Sequence, residues 1–85
     1  MTVRVRYLSA LREKTGKRQD DVDLPAGSTL ADVAAWLKRT YGISAPDPEM
    51  MSTLNGQGWN QVPQGLATAL KEGDEVALFP LLSGG

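Results

Sequence analysis

The 85-residue sequence contains no cysteine and no histidine. Those two absences exclude disulfide staples, thiol nucleophiles, Cys/His metal sites and an imidazole base. No apolar run approaches the roughly 20 residues that a membrane-spanning helix needs, and no membrane association is expected. The opening segment MTVRVRYLSA alternates arginines with apolar residues where a secretory signal would hold a continuous apolar stretch, so a cytoplasmic location is expected. Aromatic residues make up only 6% of the chain, and a net charge of −1 attracts no particular class of partner. Carboxylates are the remaining source of catalysis. Asp20, Asp21 and Asp23 read as a polar strand face with its approach turn, and Glu72, Asp74 and Glu75 as a turn leading into a strand. Neither group has the arrangement of an active-site acid and base, so the chain is expected not to be an enzyme by itself, with no metal site.

What is present suits a globular protein: 41% hydrophobic and 22% charged residues, in a length that holds one domain around one core. The charges are unevenly spread. Residues 1–18 carry Arg4, Arg6, Arg12, Lys14, Lys17 and Arg18 against Glu13 alone. Without aromatic residues interleaved for base stacking, this patch reads as a solvated strand face and hairpin rim, and no nucleic-acid partner is expected.

Hydrophobic periodicity orders the chain. VRVRYL sets Val3, Val5 and Tyr7 on one face and Arg4 and Arg6 on the other, the period of a half-buried strand. SALREKTGKRQ should turn the chain, and DDVDL (20–24) should return as a second, antiparallel strand with Val22 and Leu24 inward. Thr29 is a suitable N-cap, answered by Asp32 three residues on. Leu30, Val33, Ala34, Leu37 and Tyr41 then recur at helical spacing, with Trp36 beside the stripe and Gly42 as a left-handed stop, predicting a helix over 30–41. ISAPDPEM is expected to be irregular, and Asn55-Gly56 signals a tight hairpin turn. A Gly73-Asp74 turn should lead into a strand over 75–79 that is apolar on both faces, hence central, with pairing ending at Pro80. The crossover rule places this last strand parallel to the first, with the tail leaving at the sheet's edge as a free arm. The expected class is α+β, a mixed four- or five-stranded sheet with one main helix on one face.

The chain closes on ALFPLLSGG. Exposed Leu81 and Leu82 invite a covering partner, and the side-chain-free tip can thread a slot that any Cβ would block. The one reactive group such a thread delivers is the α-carboxylate of Gly85. Once activated by a nucleotide, it becomes an acyl electrophile open to a sulfur donor or an amine. With no cysteine, any sulfur carried must sit on that carboxyl.

The segments VRVRYLSALREKTGK (3–17), STLADVAAWLKRTYG (28–42), LNG (54–56) and GDEVALFPLLSGG (73–85) together resemble the MoaD/ThiS family of ubiquitin-like β-grasp sulfur carriers. The resemblance implies one β-grasp domain over 1–85 with a flexible Gly-Gly tail at 81–85, carrying sulfur as a C-terminal thiocarboxylate. It implies molybdenum cofactor (molybdopterin) biosynthesis as the pathway, the chain serving as small subunit of a molybdopterin synthase. The implied partners are a MoeB-like adenylating enzyme that uses ATP and magnesium, a sulfurtransferase, and a MoaE-like large subunit; this chain itself binds no cofactor. By position, Gly85 is the acceptor, Gly84 the thread, and Phe79, Leu81, Leu82 and Ser83 the contacts flanking the slot. Leu81-Leu82 stands where the family tail more often has Pro-Val. Sulfur delivery for cysteine, thiamine or tRNA thiolation, and ubiquitin-like protein modification, are the alternatives.

Overall fold

Alternation of apolar and basic residues produces the first strand, β1 (Thr2–Tyr7): Val3, Val5 and Tyr7 are buried, and Arg4 and Arg6 are exposed. The structure, a computed structural model, describes residues 1–81; the expectations that fall on Leu82, Ser83, Gly84 and Gly85 lie outside the described residues. After β1 comes a five-residue helix, α1 (Leu11–Thr15), closed by Gly16 at a left-handed φ of 77°. Sequence reasoning expects only a turn here. The helix carries no apolar stripe, and Leu11 alone packs against the core, so periodicity could not reveal it.

The return strand β2 (Gln19–Asp23) pairs antiparallel with β1, as expected. Asp20 departs from its expected place on a polar face. It is the register partner of Val5 and shares the inner face with Val22, while Asp21 and Asp23 face outward.

The main helix, α2 (Leu30–Tyr41), has the predicted bounds. Asp32 Oδ2 accepts the Thr29 N–H at 2.8 Å, closing the capping box, which contributes about 1 kcal/mol. Gly42, at φ 70°, ends the helix by donating its N–H to the Lys38 carbonyl at 3.0 Å. Leu30, Val33 and Leu37 are buried; Ala34, Trp36 and Tyr41 are partly buried around them.

A hairpin follows, β3 (Met50–Leu54) and β4 (Gln57–Gly58). Its two-residue turn has φ of 51° at Asn55 and 87° at Gly56, the positive pair that an Asn-Gly turn supplies. After a 3-10 turn at Gly65–Ala67, β5 (Glu75–Pro80) completes the sheet. Among the described residues, five strands form one sheet in the order β2-β1-β5-β3-β4, with β5 parallel to β1 and antiparallel to β3. One core joins Val3, Val5, Val22, Val76 and Leu78 of the sheet to Leu30, Val33 and Leu37 of α2. This is the ubiquitin-like β-grasp arrangement, an α+β fold.

β5 is central, as predicted, but only Val76 and Leu78 are fully buried, whereas Ala77 and Phe79 are half-buried. The main helix supplies apolar cover on one face only. Two further expectations are corrected. The tail does not leave from a lateral edge, because β5 lies between β1 and β3 and the chain departs from the end of the central strand. Nor does pairing stop at Pro80, since the Leu81 N–H donates to the Glu49 carbonyl at 3.0 Å. Met50 and Pro80 occupy a non-hydrogen-bonded pair of the antiparallel ladder, so the proline's missing donor is not needed toward β3.

Candidate functional site

The described part of the expected site is the root of the tail. Phe79 stands opposite Met51 of β3 on the outer face, with Ala77 opposite Thr53 beside it. Leu81 is 51% exposed although its amide is tied to Glu49. Phe79 and Leu81 therefore follow one another along the outer face at the point where β5 ends. Leu82, Ser83, Gly84 and Gly85, named above as contacts, thread and acceptor, lie outside the described residues.

Two clefts flank the root. One, of about 220 Å³, is bounded by the Pro46–Pro48 loop, Met51 and Trp59, with Leu81 in its wall. The other, of about 240 Å³, lies between Leu11 of α1 and the 43–50 segment, with Pro80 in its wall. Met50 borders both. Sequence reasoning missed this rim. Counting back from the Asn-Gly turn would have put Met51 near Phe79 only if β3 had first been paired with β5.

The other half of the outer face is charged but internally compensated. Arg4 Nε meets Asp21 Oδ1 at 3.2 Å, and Arg6 Nη1 meets Glu75 Oε1 at 3.4 Å. These exposed pairs add little stability, at most about 1 kcal/mol each. The outer face thus carries paired charges over β2, β1 and the Glu75 end of β5, and an apolar patch of Met51, Phe79 and Leu81 where β5 ends.

A separate polar cluster fixes the hairpin to α2. Tyr7 and Tyr41 donate their hydroxyls to Asp20 Oδ2 at 2.7 and 2.6 Å, and Lys17 Nζ donates to Asp20 Oδ1 at 3.0 Å. Burial pushes the Asp20 carboxyl upward, but the hydrogen bonds from Tyr41, Tyr7 and Lys17 outweigh it and hold the group below the usual aspartate value. Desolvation, together with the Asp20 hydrogen bond and charge, raises Tyr7 far above an ordinary tyrosine and raises Tyr41 as well. Lys17 is raised by its hydrogen bond to Asp20. Every partner favours one protonation pattern, an ionised Asp20 under two neutral tyrosines. That is the chemistry of a structural clamp. Asp74, read from sequence as a turn residue, is likewise structural: it is buried and accepts from Asn55 Nδ2 at 3.0 Å and from the Lys71 N–H at 2.8 Å.

Among the described residues no group of three or more Asp or Glu side chains is placed to hold a metal ion. No helix among them is long and apolar enough to cross a membrane. The described residues form a hydrogen-bonded root and an apolar rim, and the acyl chemistry expected of Gly85 falls beyond them.

The family model of the ThiS family matches residues 5–85. The chain belongs to the ThiS family. Among curated relatives, it is 32% identical to the molybdopterin synthase sulfur carrier subunit of Chlamydomonas reinhardtii, over all of both chains. It is 28% identical to the protein of the same name from Drosophila yakuba, covering all of this chain and 92% of that one. Among solved structures, the small archaeal modifier protein 1 of Methanosarcina acetivorans superposes with a TM-score of 0.77 at 25% identity, covering 99% of this chain and 96% of that one. ThiS family membership agrees with the mixed sheet, the single main helix and the tail that follows β5.

Proposed function

We infer that this ThiS family chain is a sulfur carrier, the small subunit of a molybdopterin synthase, which holds sulfur as a thiocarboxylate on Gly85. The observation that carries the reading is end-to-end likeness to a molybdopterin synthase sulfur carrier subunit, at 32% identity with both chains fully covered. The root geometry supports it. A central strand, pinned through Leu81 to Glu49, is what a threaded tail needs as its anchor, and an apolar rim around that anchor suits a docked large subunit.

The chemistry divides between this chain and its partners. The Gly85 carboxylate oxygen attacks the α-phosphorus of ATP on an adenylating enzyme, and pyrophosphate leaves. A sulfur nucleophile delivered by a sulfurtransferase then attacks the acyl carbon, and AMP leaves. The large subunit takes the charged tail and directs its sulfur to the pterin precursor. This chain contributes the acyl group and the means of presenting it, the catalytic groups and magnesium belonging to the partners, all within the cytoplasm.

Intact-mass analysis after incubation with an adenylating enzyme, ATP and a sulfur source tests the reading. The expected result is an oxygen-for-sulfur mass increase on a chain whose terminus is verified as Gly85. An unchanged mass overturns it.

A second reading, protein modification through the same activated carboxyl, is favoured by the likeness to a small archaeal modifier protein. Denaturing gels separate the two. Ladders that depend on Gly85 indicate transfer to lysines, and a single band with a tight large-subunit complex indicates the synthase. Sulfur delivery toward cysteine, thiamine or tRNA thiolation would share the mass change and differ in the acceptor.

A further inference from the structure

We propose that Asp47 is a positioning residue for the tail. By taking the Glu49 N–H it ends β3–β5 pairing at Leu81, and together with Pro80, which ends β1–β5 pairing, it fixes how much chain the sheet leaves to a partner. The consequence for acyl transfer rests on the carrier reading above; the hydrogen bonding does not.

Toward β3, the ladder stops half-way through a rung. Leu81 and Glu49 follow the non-hydrogen-bonded pair of Met50 and Pro80, so the antiparallel pattern would have them exchange two bonds. The Leu81 N–H does donate to the Glu49 carbonyl, at 3.0 Å. The Glu49 N–H, which would return to the Leu81 carbonyl, donates instead to Asp47 Oδ1 at 2.8 Å. The next rung is withdrawn as well. The Met50 N–H points away from β5, because Met50 lies in a non-hydrogen-bonded pair, and it donates to the Asp47 carbonyl at 3.1 Å. Asp47 has therefore turned its carbonyl to the flank of β3 that faces away from β5, where a longer β5 could not use it.

Toward β1, the parallel ladder ends one step earlier. The Leu8 N–H donates to the Leu78 carbonyl at 3.0 Å, and the next bond would run from the N–H of residue 80 to the Leu8 carbonyl. Pro80 has no N–H to give, and the Leu8 carbonyl accepts from the Leu11 N–H at 3.2 Å as α1 begins.

Both neighbours of β5 thus stop offering rungs within one residue of each other. Beyond Leu81 the chain has four residues, 82–85, which reach at most about 13 Å. One more full rung would take back two of them, about 7 Å, and a partner that threads the tail would have to break it first. An ionised carboxylate suits the stop because it only accepts: Asp47 satisfies the Glu49 N–H and offers the tail no donor.

The test uses the full chain labelled with nitrogen-15 and carbon-13, reading couplings transmitted across hydrogen bonds. The expected wild-type pattern is a coupling from the Leu81 nitrogen to the Glu49 carbonyl carbon, and none from the Glu49 nitrogen to the Leu81 carbonyl carbon. Asp47→Ala frees the Glu49 N–H and should gain the second coupling. Asp47→Asn keeps an acceptor oxygen without the charge and should retain the wild-type pattern. The first coupling, kept in every variant, reports an intact ladder. Pyrophosphate release with a fixed adenylating enzyme reads the consequence. In Asp47→Ala one ladder bond must open before the tail threads, so KM should rise about fivefold with kcat unchanged, while Asp47→Asn should match the wild type.

A coupling from Glu49 to Leu81 in the wild-type chain overturns the stop, and its absence from Asp47→Ala overturns Asp47 as the cause. An Asp47→Asn chain with the raised KM of Asp47→Ala overturns the acceptor role in favour of charge. A second coupling gained without any change in KM overturns the consequence for the tail. Failure of the carrier reading looks different: a wild-type chain with the expected couplings that is never adenylated keeps the stop and loses the carrier.

Discussion

The Leu81 amide donates to the Glu49 carbonyl at 3.0 Å, so the sheet grips the chain one residue beyond Pro80. That bond uses the main chain and leaves the Leu81 side chain half exposed. Backbone anchoring and side-chain presentation are therefore separable at this position. Leu81→Ala keeps the amide and removes exposed apolar surface, so unfolding free energy should change by less than about 0.5 kcal/mol. Affinity for the large subunit should fall by about tenfold, the effect of losing one apolar interface anchor. Urea denaturation and calorimetric titration check the two halves, and a large stability loss with unchanged affinity would reverse the assignment.

Asp20 sets a pH-dependent contribution to stability. Its carboxyl is held below the ordinary aspartate value, so its stabilisation is fully present above that ordinary value and is lost as pH falls through the lowered one. Tyr7 and Tyr41 are raised, so their contribution is fully present below the ordinary tyrosine value and erodes as pH rises above about 10. The cluster should thus flatten stability between about pH 5 and 9 and steepen both flanks. Asp20→Asn keeps an acceptor but loses the charge, and should cost about 1–3 kcal/mol at neutral pH. It should also shrink the acid-limb slope. Melting temperature against pH for both chains is the measurement.

Asn55 does two jobs in the β3–β4 turn. It holds a positive φ of 51°, and its side chain bridges Asp74 and the Glu75 N–H at 3.0 and 2.9 Å. Asn55→Ala strains the turn and deprives buried Asp74 of one donor, for an expected loss of about 2–4 kcal/mol. Asn55→Gly relieves the backbone part alone, so it should recover about 1 kcal/mol of that loss. Equal losses for the two variants would show that the turn conformation carries no energetic weight.

Local patterns made most of the fold legible. The α2 boundaries followed from the Thr29–Asp32 box and from Gly42, both neighbours in sequence, and the β3–β4 turn followed from Asn55-Gly56. Helix α1 escaped because five residues with one apolar side chain show no period. Asp20 was misplaced for a different reason. Its inward position could have been read from alternation with Val22, but the partners that make burial tolerable, Tyr7 and Tyr41, lie 13 and 21 residues away. At the candidate site, Phe79 and Leu81 were legible from the closing motif, whereas the Met51, Trp59 and Pro46–Pro48 rim depends on the β3–β5 pairing. Long-range pairing is what a single sequence states least directly.

The tail separates folding from function most sharply. Removing Gly84 and Gly85 deletes no side chain and none of the described hydrogen bonds, so unfolding free energy should stay within about 0.5 kcal/mol of the intact chain. Conversion to a thiocarboxylate should vanish, because the new terminal carboxylate sits two residues short of the adenylating site. Gly84→Ala is the sharper variant, since it restores the length and adds a single methyl group. If the slot accepts only a bare backbone, that methyl displaces the reacting carboxyl, and a shift of about 1 Å slows acyl-adenylate formation by about 100-fold. Pyrophosphate release with a fixed adenylating enzyme measures the rate. A Gly84→Ala chain that is activated at the normal rate would show that the tail is recognised through the rim around Phe79 and Leu81 instead of through the thinness of its thread.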